Sequence, residues 1–155
     1  MVLNIADLNW SLGGGLLGLQ QQVRQAMDGM VRELRQSRSS NVTITGGTDI
    51  QFSIPTDITP VTYSELISYY VVYVSDEQKQ LFREHPMGSD PPDRVAVAND
   101  INSVTFCWCH GATCATCDNI NGGSNLVRIQ LVAGKTVRQK SVSFSLTEKV
   151  RLRNE

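Results

Sequence analysis

The feature that most constrains this chain is an apolar stripe with helical spacing. Leu16, Leu19, Val23, Met27, Met30 and Leu34 recur at intervals of three and four, which puts them on one helix face, while Gln21, Arg24, Asp28, Arg32 and Arg35 fall elsewhere. Beyond the stripe the sequence alternates as strands do. This asymmetry predicts one N-terminal helix laid on a β domain.

At 155 residues and 41% hydrophobic content the chain has enough apolar material for one core, so a single domain over residues 1–155 is expected. A formal net charge of −1 and the lack of any like-charge run argue against a broad basic surface, and nucleic acid is not an expected partner. The apolar stretch LGGGLLGL is far shorter than the roughly 20 residues a spanning helix needs. The chain as written is therefore expected to be soluble; MVLNIADLNW carries an acid and no base, unlike a secretory leader, so the start is expected to be a cytoplasmic protein's own or a truncated or replaced one.

Within the domain, residues 1–12 show no period, a helix is expected over 13–38, and a β-rich part over 41–154. Gly29 lies inside the helix and costs about 1 kcal/mol relative to alanine, so packing must hold that helix on the sheet. Gly46 and Gly47, between NVTIT and TDIQFSIP, predict a tight hairpin. Val61 to Val74 reads as one long central strand, and SDEQ turns the chain into KQLFRE.

HPMGSDPPD forms a loop, with His85 expected exposed on it, and HGATCATCDNINGGS forms a second. Gly134, Lys135 and Thr136 echo a phosphate loop, but Ile129 stands where the motif needs glycine, and a hairpin turn is the expectation there. Val142, Phe144 and Leu146 alternate with Ser141, Ser143 and Ser145 in a half-buried strand. Lys149, Arg151 and Arg153 then mark an edge guarded by charge. The fold class is α+β, an N-terminal amphipathic helix packed on a largely antiparallel sheet.

VRQAMDGMVRELRQS, SYYVVYVSDEQKQLFRE, VAVANDINSVTFCW and SVSFSLTEKVRLRN, in this order and spacing, resemble the globular parts of minor pilins and type II secretion pseudopilins, the J-type especially. In that family a half-helix ends as Met30 to Gln36 do here. A Leu-Phe/Tyr-Arg signature matches Leu81 to Arg83, and a closing Val-x-Leu-Arg-Asn matches Val150 to Asn154. The resemblance implies a pilin-like fold and a structural, non-enzymatic role as minor subunit of a pseudopilus or type IV pilus, in the periplasm or at the cell surface.

Its implied partners are other pilin or pseudopilin subunits, with no small-molecule substrate and no cofactor. Family precursors begin with a basic leader, a cleavage site and an apolar helix, none of which is written here. Membrane contact is therefore expected only through a helix upstream. Val31 lies off the main stripe and is a candidate for touching neighbouring subunits; the alternative is that it widens the core-facing stripe. Asp76, Glu77, Asp90 and Asp93 could offer oxygen to the calcium that some pseudopilins bind, although scattered loop acids are ordinarily just solvated.

All four cysteines, Cys107, Cys109, Cys114 and Cys117, fall in the single run CWCHGATCATC. On a strand Cys107 and Cys109 share a face, and Trp108 points the other way as a core anchor. Two disulfides joining 107 or 109 to 114 or 117 suit the compartment the resemblance implies. A zinc site on the four thiolates, with His110 nearby, is the second reading. It carries the alternative function, a small metal-binding or redox protein built on this cluster. CxxCH haem attachment fails, because Asp118 follows Cys117.

Overall fold

The computed structural model describes residues 5–76, 78–86, 90–91, 93–118 and 123–153, with backbone alone for residues 5–13 and 58. Helix α1 runs Ile5–Leu34. Leu19, Val23, Met27, Met30 and Leu34 are buried to 1% exposure or less, Leu16 is half-buried, and the five polar residues expected elsewhere are all exposed.

The helix reaches further upstream than residue 13, into the stretch expected to be irregular, and stops short of residue 38. Glycine disfavours a helix by about 1 kcal/mol but keeps its N–H, so the hydrogen-bond ladder passes through residues 13–15. At the far end the ladder tightens: Gln36 N–H donates to Glu33 O at 3.1 Å and Ser37 N–H to Leu34 O at 2.9 Å. Ser37 is fully buried and its hydroxyl donates to Ser53 O at 2.9 Å, which fixes the exit of the helix.

Eleven strands follow among the described residues: β1 Val42–Thr45, β2 Asp49–Phe52, β3 Pro55–Ile58, β4 Val61–Tyr63, β5 Ile67–Ser75, β6 Gln78–Glu84, β7 Arg94–Asn99, β8 Ile101–His110, β9 Thr113–Thr116, β10 Leu126–Val137 and β11 Lys140–Arg151. One sheet has the order β1-β2-β5-β6-β7, a second β11-β10-β8-β9, and β3 pairs with β4 alone. Every strand pairing is antiparallel. The helix packs against β10, β11 and β7 and so spans both larger sheets. The fold is α+β, as the sequence pattern predicts.

The expected hairpin closes β1 on β2 with Gly46 at φ 58° and Gly47 at φ 72°, backbone angles that side chains strain. Gly47 also ties the sheets together, because its carbonyl accepts the Phe106 N–H of β8 at 2.7 Å.

Three expectations are corrected. The single strand from Val61 to Val74 is two strands in different sheets, β5 central in its own. Ser64 divides them: its N–H donates to Ile54 O at 2.8 Å and its Oγ accepts the Ile54 N–H at 3.1 Å, which holds this point against the start of β3. The second loop contains β9, which pairs with β8 through Trp108 and Thr116.

Gly134 lies inside β10 instead of at a turn. Its N–H donates to Asp100 O at 2.9 Å, and a Cβ there would stand 2.7 Å from Asn102 Nδ2, so this is a close approach of β8 to β10. The turn falls at Arg138 and Gln139, both at positive φ without a glycine between them.

Candidate functional site

Two features of the chain can do more than fold it, and they occupy different parts of the molecule. The first is the flank of α1 turned away from the sheets. Leu16 and Leu17 are adjacent, so about 100° separates them around the axis and only one can face the core. Leu16 is half-buried and Leu17 is 57% exposed. Gly14 and Gly18, one turn apart beside Leu17, have nothing among the described residues within 4 Å of where a Cβ would stand. Together they form a shallow apolar step of bare backbone around one large side chain.

Val31, the residue singled out from sequence for that contact, is half-buried and packs against the core cluster. Leu17 is legible in the doubled leucine of LGGGLLGL, because a helix that turns Leu16 to the core must turn Leu17 away from it.

The lower end of α1 is anchored electrostatically. Glu33 accepts Arg83 Nη2 at 2.8 Å and Arg83 Nε at 3.0 Å, and Tyr69 donates its hydroxyl to the same carboxylate at 2.5 Å. Tyr69 and Arg83 are directly opposite on β5 and β6, so the sheet presents both to the helix at one level. Burial first, and then the bond to Glu33, push the Tyr69 hydroxyl well above the ordinary tyrosine range. The bond to Glu33 raises Arg83, against the opposing effect of burial.

The second feature is the cysteine pin. Alternation on β8 puts Cys107 and Cys109 on one face and Trp108, fully buried, in the core on the other. Cys107 is bridged to Cys117 and Cys109 to Cys114, one closure nested inside the other around the β8–β9 turn. Arg128 Nη2 approaches Cys107 Sγ at 3.6 Å, and a Cβ on Gly47 would stand 3.1 Å from Cys117 Cβ. The outer bridge therefore sits under the β1–β2 turn and holds it close to β8.

In this form none of the four sulfurs is a thiolate, so the zinc set of Cys107, Cys109, Cys114 and Cys117 has no ligand to give. His110 is exposed beyond them. Among the described residues no group of three or more His, Cys, Asp or Glu is placed to hold a metal ion. Of the loop acids considered for calcium, Asp76, Asp90 and Asp93 are exposed, and Glu77 lies outside the described residues. His85, expected exposed, is half-buried, with Nε2 buried and unpartnered among the described residues.

No described helix is long and apolar enough to cross a membrane. In comparisons with known proteins the chain matches no family model, no curated protein and no solved structure.

Proposed function

We propose that the chain is a structural subunit of the minor pilin or pseudopilin class, similar to the J-type, which acts in the periplasm or at the cell surface by associating with other subunits. The observation that carries this reading is how its motif segments meet. Glu33, in the Met30 to Gln36 helix end, is bound by Arg83, the last residue of the Leu81 to Arg83 signature. Val150 and Leu152 of the closing segment are buried in the same core, at 0% and 2% exposure; Asn154 lies outside the described residues.

Segments matched separately along the chain thus belong to one device that sets the helix on its sheet. The helix then has a face to spare, with Leu17, Gly14 and Gly18 open to a neighbouring helix. Nested disulfides agree with an oxidising compartment.

Photo-crosslinking from a probe at the exposed position Gln21, one helical turn beyond Leu17, in the source cell, tests the reading. Capture of subunits with apolar N-terminal helices of the pilin class, lost in Leu17→Glu, is the expected result. Capture of unrelated proteins only, or of nothing, overturns it.

A further inference from the structure

The long edge of the second sheet is complementary to itself. β11 is an edge strand paired with β10 from Lys140 to Arg151 without a register shift. Leu152 N–H points to the β10 side, donating to Asn125 O at 2.8 Å, and Arg153 N–H points outward, donating to Ser37 O at 2.9 Å. In an unbroken antiparallel ladder these directions alternate residue by residue. The outward backbone groups of β11 therefore belong to Ser141, Ser143, Ser145, Thr147, Lys149 and Arg151, beyond which no strand lies among the described residues.

Charge guards only part of this edge. Lys149, Arg151 and Arg153 cover its end, whereas Ser141 to Thr147 is an uncharged run without proline or glycine. Val142, Phe144 and Leu146 lie half-buried on one side of that run, and Ser141, Ser143, Ser145 and Thr147 are exposed on the other.

We infer that β11 pairs antiparallel with β11 of a second copy of this chain, about a two-fold axis at Phe144, and makes one continuous sheet across the dimer. In that register Phe144 meets Phe144 of the partner subunit, Val142 meets Leu146, Ser143 meets Ser145, Ser141 meets Thr147, and Lys140 meets Glu148. Apolar residues oppose apolar ones, hydroxyls oppose hydroxyls, and the one acid between Lys140 and Lys149 opposes a base at each end. A slip of one residue sets apolar side chains against hydroxyls, and a slip of two in either direction leaves Lys140 facing an apolar residue, Val150 or Leu146, in place of Glu148.

The backbone parity agrees. The outward groups on Ser143 and Ser145 form hydrogen-bonded pairs, while Phe144, Val142 with Leu146, and Lys140 with Glu148 fall at the closer non-hydrogen-bonded positions. The partner strand also fits between existing contacts. It begins opposite Glu148 and turns away at Arg138 and Gln139, before the Ser37 and Arg38 segment that already occupies the edge at Arg153.

This inference does not rest on the filament reading, since it needs only the strand edge. Sedimentation equilibrium of the oxidised chain, up to several hundred micromolar, tests it. The wild type should dimerise; Glu148→Lys should weaken the dimer about tenfold by setting two like-charge pairs across the axis, and adding Lys140→Glu should restore it. Ser145→Pro, which removes an outward N–H that the monomer does not use, should abolish dimerisation. A wild type that stays monomeric overturns the proposal, and so does a dimer that Glu148→Lys leaves unchanged. Lys140 and Glu148 are both exposed, so the charge variants keep their fold.

Discussion

Glu33 and Arg83 form a two-pronged ion pair, 2.8 Å at its shortest, between the last turn of the helix and the middle of a sheet fifty residues on. Helix-end carboxylates ordinarily sit badly against the dipole there, so Glu33 is held by its partners and not by its helix. The pair is only partly screened, with side chains 20% and 30% exposed. Glu33→Gln or Arg83→Met should each lower stability by about 1 to 2 kcal/mol, with a double-mutant coupling of about 1 kcal/mol. Urea unfolding of the four proteins checks this; additive losses would mean the pair is ornamental.

Tyr69 adds a pH dependence at the alkaline end. Its pKa is raised in the folded state by burial and by the Glu33 carboxylate, so the folded chain keeps a proton that the unfolded chain loses near pH 10. That contribution is fully present below about pH 10 and is lost as pH climbs above it, toward the folded pKa. Stability should therefore fall as pH rises from about 10 to about 12, and Tyr69→Phe should flatten the fall. Tyr70, raised by burial and by Glu84, acts in the same direction, so the Tyr69→Phe curve keeps a smaller slope. Unfolding midpoints across that range read the difference.

Two glycines should respond to alanine in opposite ways. Gly29 is inside the helix with nothing among the described residues within 4 Å of a new Cβ, so Gly29→Ala should stabilise by about 0.5 to 1 kcal/mol. Gly47 has φ +72° and a Cβ there would meet Cys117 Cβ at 3.1 Å, so Gly47→Ala should destabilise by more than about 1 kcal/mol. Thermal unfolding of the two variants separates the cases.

The helix stripe, the Gly46 and Gly47 hairpin and the alternation around Phe144 were legible because each is a local period or a local backbone demand. What escaped was set by distant partners. Ser64 breaks a run of strand formers because Ile54 lies beside it, and Gly134 is a glycine because Asn102 crowds it. The split of the strands between two sheets leaves no local signature at all. Joining 107 or 109 to 114 or 117 leaves two of the three full pairings that four cysteines allow, and folding β9 back on β8 selects the nested one.

Val31 and Leu17 should separate folding from association. Val31 packs against the core, so Val31→Ala should cost about 1 kcal/mol of stability through lost contacts. Leu17 is 57% exposed, so Leu17→Ala should stay within about 0.5 kcal/mol of wild type. If subunit capture falls with Leu17→Ala and not with Val31→Ala, the association face is the glycine-flanked flank and Val31 belongs to the core. Equal losses in both variants would return Val31 to the interface.

The two disulfides should differ in what their removal releases. In the chain-entropy picture, closures spanning 10 and 5 residues constrain the unfolded chain by about 3 and about 2 kcal/mol respectively. Cys107 and Cys117 carry more than that difference, since Cys107 is fully buried beside Arg128 and Cys117 lies under Gly47. Replacing that pair with serine should therefore destabilise more than replacing Cys109 and Cys114. It should also raise hydrogen exchange at the Phe106 N–H, because the turn whose carbonyl accepts that proton loses its support. Both variants should remain folded, since the core of helix and sheets lies on the Trp108 side of β8. Zinc added to the oxidised wild type should bind no more tightly than to the double-serine variants. Tight, stoichiometric zinc in the oxidised protein would show that the sulfurs are not paired as the structure has them.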